Sequence, residues 1–213
     1  MKAIENWIQK TKPNFEKGGK YEKWLPIYES FETFLHVPGN VTLKGSHVRD
    51  AIDLKRALII VIFALVPALL FGMYNVGYQH YLALGQTPEL VDSFIYGLLA
   101  VLPKVVVSYV VGLGIEFTVA QWKKEEIQEG FLVSGMLIPL IVPINCPLWI
   151  IALATAFAVI FAKEVFGGTG MNIFNVALVT RAFLFFAYPS MMSGDKVWVN
   201  GNYIDSIIGV RGM

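Results

Sequence analysis

The sequence predicts an all-α integral membrane protein with about five transmembrane helices and a polar N-terminal arm. Three observations carry this prediction. Of the 213 residues, 55% are hydrophobic and only 15% charged, against about 25% charged in an ordinary soluble domain. Mean hydropathy is +0.57. The charge is also unevenly spread: residues 1–56 hold ten of the seventeen Lys and Arg and seven of the sixteen acids. A formal net charge of +1 leaves no overall basic field for binding nucleic acid. The single cysteine, Cys146, excludes an intrachain disulfide framework, a CxxC pair and a four-cysteine iron–sulfur cluster held by one copy of the chain.

Residues 1–56 read as a cytoplasmic arm. No apolar run follows the first lysine, so this segment is not a signal peptide. Its aromatics (Trp7, Phe15, Tyr21, Trp24, Phe31 and Phe34) are expected to pack the arm or touch headgroups. After Arg56 the composition switches, and residues 57–189 form the membrane domain. Ala57–Tyr78 is apolar apart from Asn75 and is long enough to cross a hydrocarbon core of about 30 Å. The polar stretch Gln79–Asp92 separates it from a second run, Ser93–Ala120, interrupted only by Lys104 and Glu116. A charged loop, Gln121–Gly130, leads to two shorter runs, Phe131–Pro143 and Leu148–Ala162, joined by a predicted turn at Ile-Asn-Cys-Pro. The first of these covers only about 20 Å as a helix. It reads as a short span or as a re-entrant element beside a cavity. A fifth run, Ile173–Pro189, is followed by a polar stub, residues 190–213.

Lys and Arg set the orientation. The basic arm is expected inside, the 79–92 loop outside, the Lys123–Lys124 loop inside, the 144–147 turn outside and the Lys163 loop inside. Five spans and a trailing stub predict half of something larger.

Charges inside apolar runs are candidates for function, because each costs roughly 2.5–3.5 kcal/mol in hydrocarbon. Glu116 is either an ion-pathway acid or an interfacial group facing water or a nearby lysine. Lys104 lies twelve residues earlier, about 18 Å along an ideal helix, too far to pair with it, and reads as a packed or snorkelling charge. Gly112 and Gly114 permit close approach, by a neighbouring helix in the simplest reading or by a small molecule. The stretch Lys163-Glu-Val-Phe-Gly-Gly-Thr-Gly-Met-Asn-Ile-Phe-Asn175 is the most informative. Gly167, Gly168 and Gly170 free the backbone to approach a ligand, and their amides can form a polar nest. No Gly-Lys-Ser/Thr ending makes it a P-loop. Asn172 and Asn175, three apart, are expected on one helix face. Their carboxamides suit the mixed donor and acceptor edge of a flavin ring; the alternative is a helix cap plus turn. Arg181, in the last apolar run, implies a carboxylate, carbonyl or anionic partner. His36, His47 and His80 form no metal-ligand cluster and are expected at surfaces or interfaces.

Five motifs in order resemble the B subunit of the sodium-translocating NADH:quinone reductase: Glu129-Gly-Phe-Leu-Val-Ser-Gly-Met-Leu-Ile-Pro, Pro147-Leu-Trp, Lys163-Glu-Val-Phe-Gly-Gly-Thr-Gly-Met-Asn, Arg181-Ala-Phe-Leu-Phe-Phe-Ala-Tyr-Pro and Ser193-Gly-Asp. Gly72-Met-Tyr-Asn-Val-Gly-Tyr-Gln79 fits as well. The resemblance implies a flavoprotein subunit of the bacterial inner membrane that passes electrons toward quinone while sodium crosses. It implies about ten helices in two repeats, of which this chain would be the first half. The other subunits of the complex, quinone and membrane lipid are the implied partners. By resemblance Glu116 matches an acid of sodium uptake and Gly112 a glycine of the quinone region. Asn172 and Asn175 match asparagines near a non-covalent riboflavin, and Gly168 and Gly170 in the loop before them are candidates for the same cofactor site. Leu113 stands where the family has a second glycine, and Met171 and Val176 where it often has Lys and Pro. The family also carries FMN on the threonine of a Ser-Gly-Ala-Thr motif after the Ser-Gly-Asp turn. Residues 200–213 contain no such threonine, so covalent FMN is not expected here and a partial subunit is. The D subunit of ion-translocating ferredoxin:NAD reductases is the nearest rival. Half of a non-redox ion or solute transporter is another, since the broken Pro143–Pro147 region and Glu116 also fit a substrate path.

Overall fold

The computed structural model describes residues 10–15, 28, 45–46, 54–123 and 130–193. Most of the arm, residues 124–129 of the charged loop, and the stub from Gly194 onward lie outside the described residues. The described part of the arm includes one 3₁₀ turn, Lys12–Asn14, after which Phe15 stacks on Tyr28 at 4.6 Å.

Six α-helices follow among the described residues: α1 (Leu54–Ala83), α2 (Leu90–Lys123), α3 (Phe131–Ile141), α4 (Leu148–Ala158), α5 (Val176–Ala187) and the single turn α6 (Pro189–Met192). α4 continues through a π-helical turn, Val159–Lys163, and a 3₁₀ turn, Glu164–Phe166. Among the described residues, three segments are long and apolar enough to cross a membrane: Arg56–Ala83, Leu90–Lys123 and Leu148–Phe166. The chain is a multi-pass, all-α membrane protein. α3 and α5, with 11 and 12 residues, are apolar but reach only about 16–18 Å.

α2 is the central element, packing against α1, α3, α4 and the π-turn. Its buried residues are Ser93, Gly97, Val101, Lys104, Ser108, Gly112, Glu116 and Ala120. Steps of mostly four residues advance faster than the 3.6-residue turn, so this stripe winds about half-way round the helix. Its first third faces α1, its middle faces α3, and its end faces the π-turn.

α1 lies on α2 through glycines. A Cβ on Gly97 would stand 1.7 Å from the Met73 carbonyl oxygen, and one on Gly77 would stand 1.8 Å from that of Ser93. Only hydrogen at these positions lets the backbones touch, which is how membrane helices gain van der Waals contact without a hydrophobic driving force. Beside this seam His80 is buried and stacks on Tyr96 at 3.9 Å. This corrects the expectation of a surface or interfacial histidine: the aromatic ring from α2 shields it. The opposite face of α1 is apolar and open, with Phe63 and Phe71 about two-thirds exposed, as suits a lipid-facing helix.

The 143–147 turn packs beside α2 at Lys104. The Lys104 ammonium donates to the carbonyls of Pro143 and Ile144, and Ile144 packs with Val101 and Met73. Lys104 stands fourteen residues from the start of α2, about 21 Å along it. Irregular backbone packed against a membrane helix needs protein groups to satisfy it, and the buried ammonium does so here. Pro139 in α3 cannot donate to Gly135, and the Ser108 hydroxyl donates to that carbonyl instead, at 3.0 Å. The main core gathers Phe131, Ile138, Ile150, Ile151, Val159 and Leu184 between α3, α4 and α5, and Phe157 stacks on Phe183 at 4.6 Å.

Candidate functional site

The site lies where the last turns of α2 meet the end of α4. Glu116 and Lys163 are each only 4% exposed, and the Lys163 ammonium donates to Glu116 Oε1. Burying either charge alone would cost several kcal/mol; each is the other's partner. The second carboxylate oxygen, Oε2, is buried and has no hydrogen-bond partner among the described residues. Lys163 is the partner of Glu116 that reading motif by motif misses. The signal that finds it is depth, because both charges sit at the predicted cytoplasmic ends of apolar runs.

The glycine loop begins at Lys163. The carbonyl of Lys163 accepts from Gly168 N–H at 3.1 Å. Gly167, Gly168 and Gly170 have φ of 109°, 93° and 92°, a left-handed backbone that other residues rarely hold. The loop is fastened to α2 at Glu164, whose carboxylate lies 3.8 Å from the Lys123 ammonium and whose carbonyl accepts from it at 3.3 Å. Thr169 sits against Gly130, where a Cβ would fall 2.4 Å from its methyl carbon. Val165, Met171, Ile173 and Phe174 form an exposed apolar rim.

Asn172 and Asn175 do not share a helix face. Asn175 is the N-cap of α5, its Oδ1 accepting from the backbone N–H of Ala177 at 2.9 Å and of Leu178 at 3.3 Å. Asn172 lies before the helix. Its Oδ1 accepts from Gly170 N–H at 3.1 Å and its Nδ2 donates to the Phe174 carbonyl at 2.9 Å. The helix starts only after Asn175 because a side-chain oxygen replaces the missing partner of its first amides. Val176 is then the first residue of α5, a position where proline is well tolerated. Arg181 lies on the exposed side of α5.

Gly112 is one turn of α2 from Glu116 and is covered by protein. A Cβ there would stand 2.0 Å from the ring of Phe131, which is fully buried. Glu116, Lys163 and the start of the 167–170 loop are thus brought together, with Gly112 buried one turn from Glu116, while Asn172 and Asn175 bond only to their own loop and the start of α5.

The sequence profile of the NQR2, RnfD, RnfE family matches residues 41–211. The chain belongs to this family. It is 46% identical to the B subunit of the Na(+)-translocating NADH-quinone reductase of Ectopseudomonas mendocina (strain ymp), over 92% of this chain and 54% of that protein. It is 43% identical to the protein of the same name from Pseudomonas aeruginosa (strain LESB58), over 99% of this chain and 57% of the relative. With the one from Azotobacter vinelandii (strain DJ / ATCC BAA-1303) the identity is 44%, over 92% and 54%. The chain spans about half the length of the curated relatives it matches.

Proposed function

We propose that this chain acts as a membrane subunit of a sodium-pumping NADH:quinone oxidoreductase, with Glu116 on the sodium path. The observation that carries this reading is the buried Glu116–Lys163 pair with its unpartnered Oε2, in a chain 43–46% identical to subunits so named. A buried carboxylate with one oxygen free is a seat for a small hard cation, which prefers oxygen ligands. Ion-pathway acids of membrane proteins face the protein interior in this way.

The working unit is the assembled complex. In it this chain sits in the bacterial inner membrane with the arm on the cytoplasmic side, the complex's other subunits and lipid around it, and quinone as the final acceptor. The loop region fits a flat amphipathic ring such as riboflavin. The exposed Phe174 ring offers a face for stacking, and Asn175 Nδ2 keeps its two donors, since only its Oδ1 is engaged in the cap. Such a flavin supplies reversible electron transfer. The backbone at Gly168 and Gly170 would hold its edge, and Asn172 would keep the loop's shape through its bonds to Gly170 N–H and the Phe174 carbonyl. Gly112 belongs to the quinone region in this reading.

The test is sodium-stimulated quinone reduction by the purified complex. Glu116→Gln is expected to raise the sodium concentration for half-maximal rate by about tenfold, the equivalent of one charge-assisted contact. An unchanged sodium requirement removes Glu116 from the path. Flavin content of the Asn172→Ala/Asn175→Ala variant tests the loop separately, and full retention of flavin refutes that assignment.

A further inference from the structure

We propose that Lys163 is a tethered competitor of the transported cation for Glu116, and that its backbone carbonyl links occupancy of that seat to the 167–170 loop. The inference rests on the reading of Glu116 as an ion-path acid and adds to it the residue that regulates the seat. The Lys163 ammonium takes Oε1, while Oε2 is buried and unpartnered among the described residues. A carboxylate can accept about four hydrogen bonds, so the pair is under-satisfied on the side facing away from Lys163. A cation arriving at Oε2 shares one negative charge with the ammonium. Each then weakens the hold of the other, by the reciprocity of linked binding.

The same residue holds the loop. Lys163 closes a π-turn whose carbonyl accepts from Gly168 N–H, and Glu164 beside it is gripped by Lys123. A π-turn carries one residue more than an α-turn and is frequent at functional sites. Its relaxation to α-helix rotates the residues beyond it by about 100°. An ammonium loosened from Glu116 removes the side-chain tether that keeps the π-turn formed, and the Gly168 bond is the next link to move. The reverse also holds: whatever strains the loop pulls on Lys163 and frees the seat. Lys163 is a positioning residue in this scheme, not a ligand of the cation.

The experiment uses the assembled complex and reads the sodium concentration for half-maximal quinone reduction separately from the maximal rate. Lys163→Met is expected to lower that concentration by about tenfold. Lys163→Arg, which grips a carboxylate with a rigid two-pronged fork, is expected to raise it. A merely structural lysine changes assembly or maximal rate and leaves the sodium requirement where it was, which overturns the proposal. If the methionine variant fails to assemble because Glu116 is left buried and alone, the arginine variant decides: an unchanged or lowered requirement refutes the competition. Gly168→Ala is expected to shift the sodium requirement in the wild-type background but not beside Lys163→Met. An equal shift in both backgrounds refutes the link to the loop. A wild-type complex with no sodium dependence defeats the functional reading itself, a separate result from any of these.

Discussion

Ser108 of α2 supplies the hydrogen bond that Pro139 withholds from the carbonyl of Gly135, 27 residues along the chain from the serine. The bond lies wholly inside the protein, and it makes a proline tolerable in the third turn of a helix only 11 residues long. Replacing Ser108 by Ala is expected to destabilise the fold by about 1–3 kcal/mol, since a buried carbonyl loses the donor that stands in for the missing amide. In the Pro139→Ala background the same change should cost clearly less, because the substituted residue brings a backbone N–H within reach of Gly135. A double-mutant cycle of unfolding in detergent checks both values.

Lys104 holds the 143–147 turn. Lys104→Met leaves the carbonyls of Pro143 and Ile144 without the ammonium, and a loss of about 1.5–3 kcal/mol is expected for this charge-assisted contact. The expected local signature is faster proteolytic cutting between Pro143 and Pro147, measured in micelles with α2 intact.

Gly97→Ala and Gly77→Ala drive a methyl group into backbone, at 1.7 Å and 1.8 Å. α1 and α2 must separate, and a cost of about 1–3 kcal/mol is expected for overpacking. Gly72→Ala and Gly114→Ala meet nothing within 4 Å and should stabilise by up to about 1 kcal/mol through helix propensity. Cysteine cross-linking between α1 and α2 should slow in the first pair of variants and remain unchanged in the second.

Gly112→Ala tests whether this glycine serves packing or a ligand. The added methyl displaces the Phe131 ring. Phe131→Leu in the same chain gives it room, so stability and quinone reduction are expected to recover together if the glycine serves packing. Recovery of stability without recovery of quinone affinity assigns Gly112 a contact of its own with quinone.

Much of the architecture was legible in composition. α1 and α2 follow the two long apolar runs to within a few residues at each end, and the short α3 follows the run that Pro143 closes. The interruptions were less legible, because they depend on residues far away in the chain. Nothing in the apolar stretch Val159–Lys163 marks a π-turn; it forms where Lys163 meets Glu116, 47 residues earlier. His80 sits in a polar, Tyr-rich stretch that reads as interfacial, and it is buried where it stacks on Tyr96 of the next helix. The three-residue spacing of Asn172 and Asn175 fits a helix face equally well as a turn and a cap. The glycines before them and the capping preference of asparagine were the signals for the second reading.

Lys104 also sets an order of assembly. Its carbonyl partners lie 39 and 40 residues downstream, so during synthesis the charged helix emerges ahead of the turn that satisfies it. Until α3 has followed, the lysine must either stay in the insertion machinery or reach with its long stem toward the headgroups. Insertion of α2 is therefore expected to be complete only once α3 and the turn that follows it have arrived.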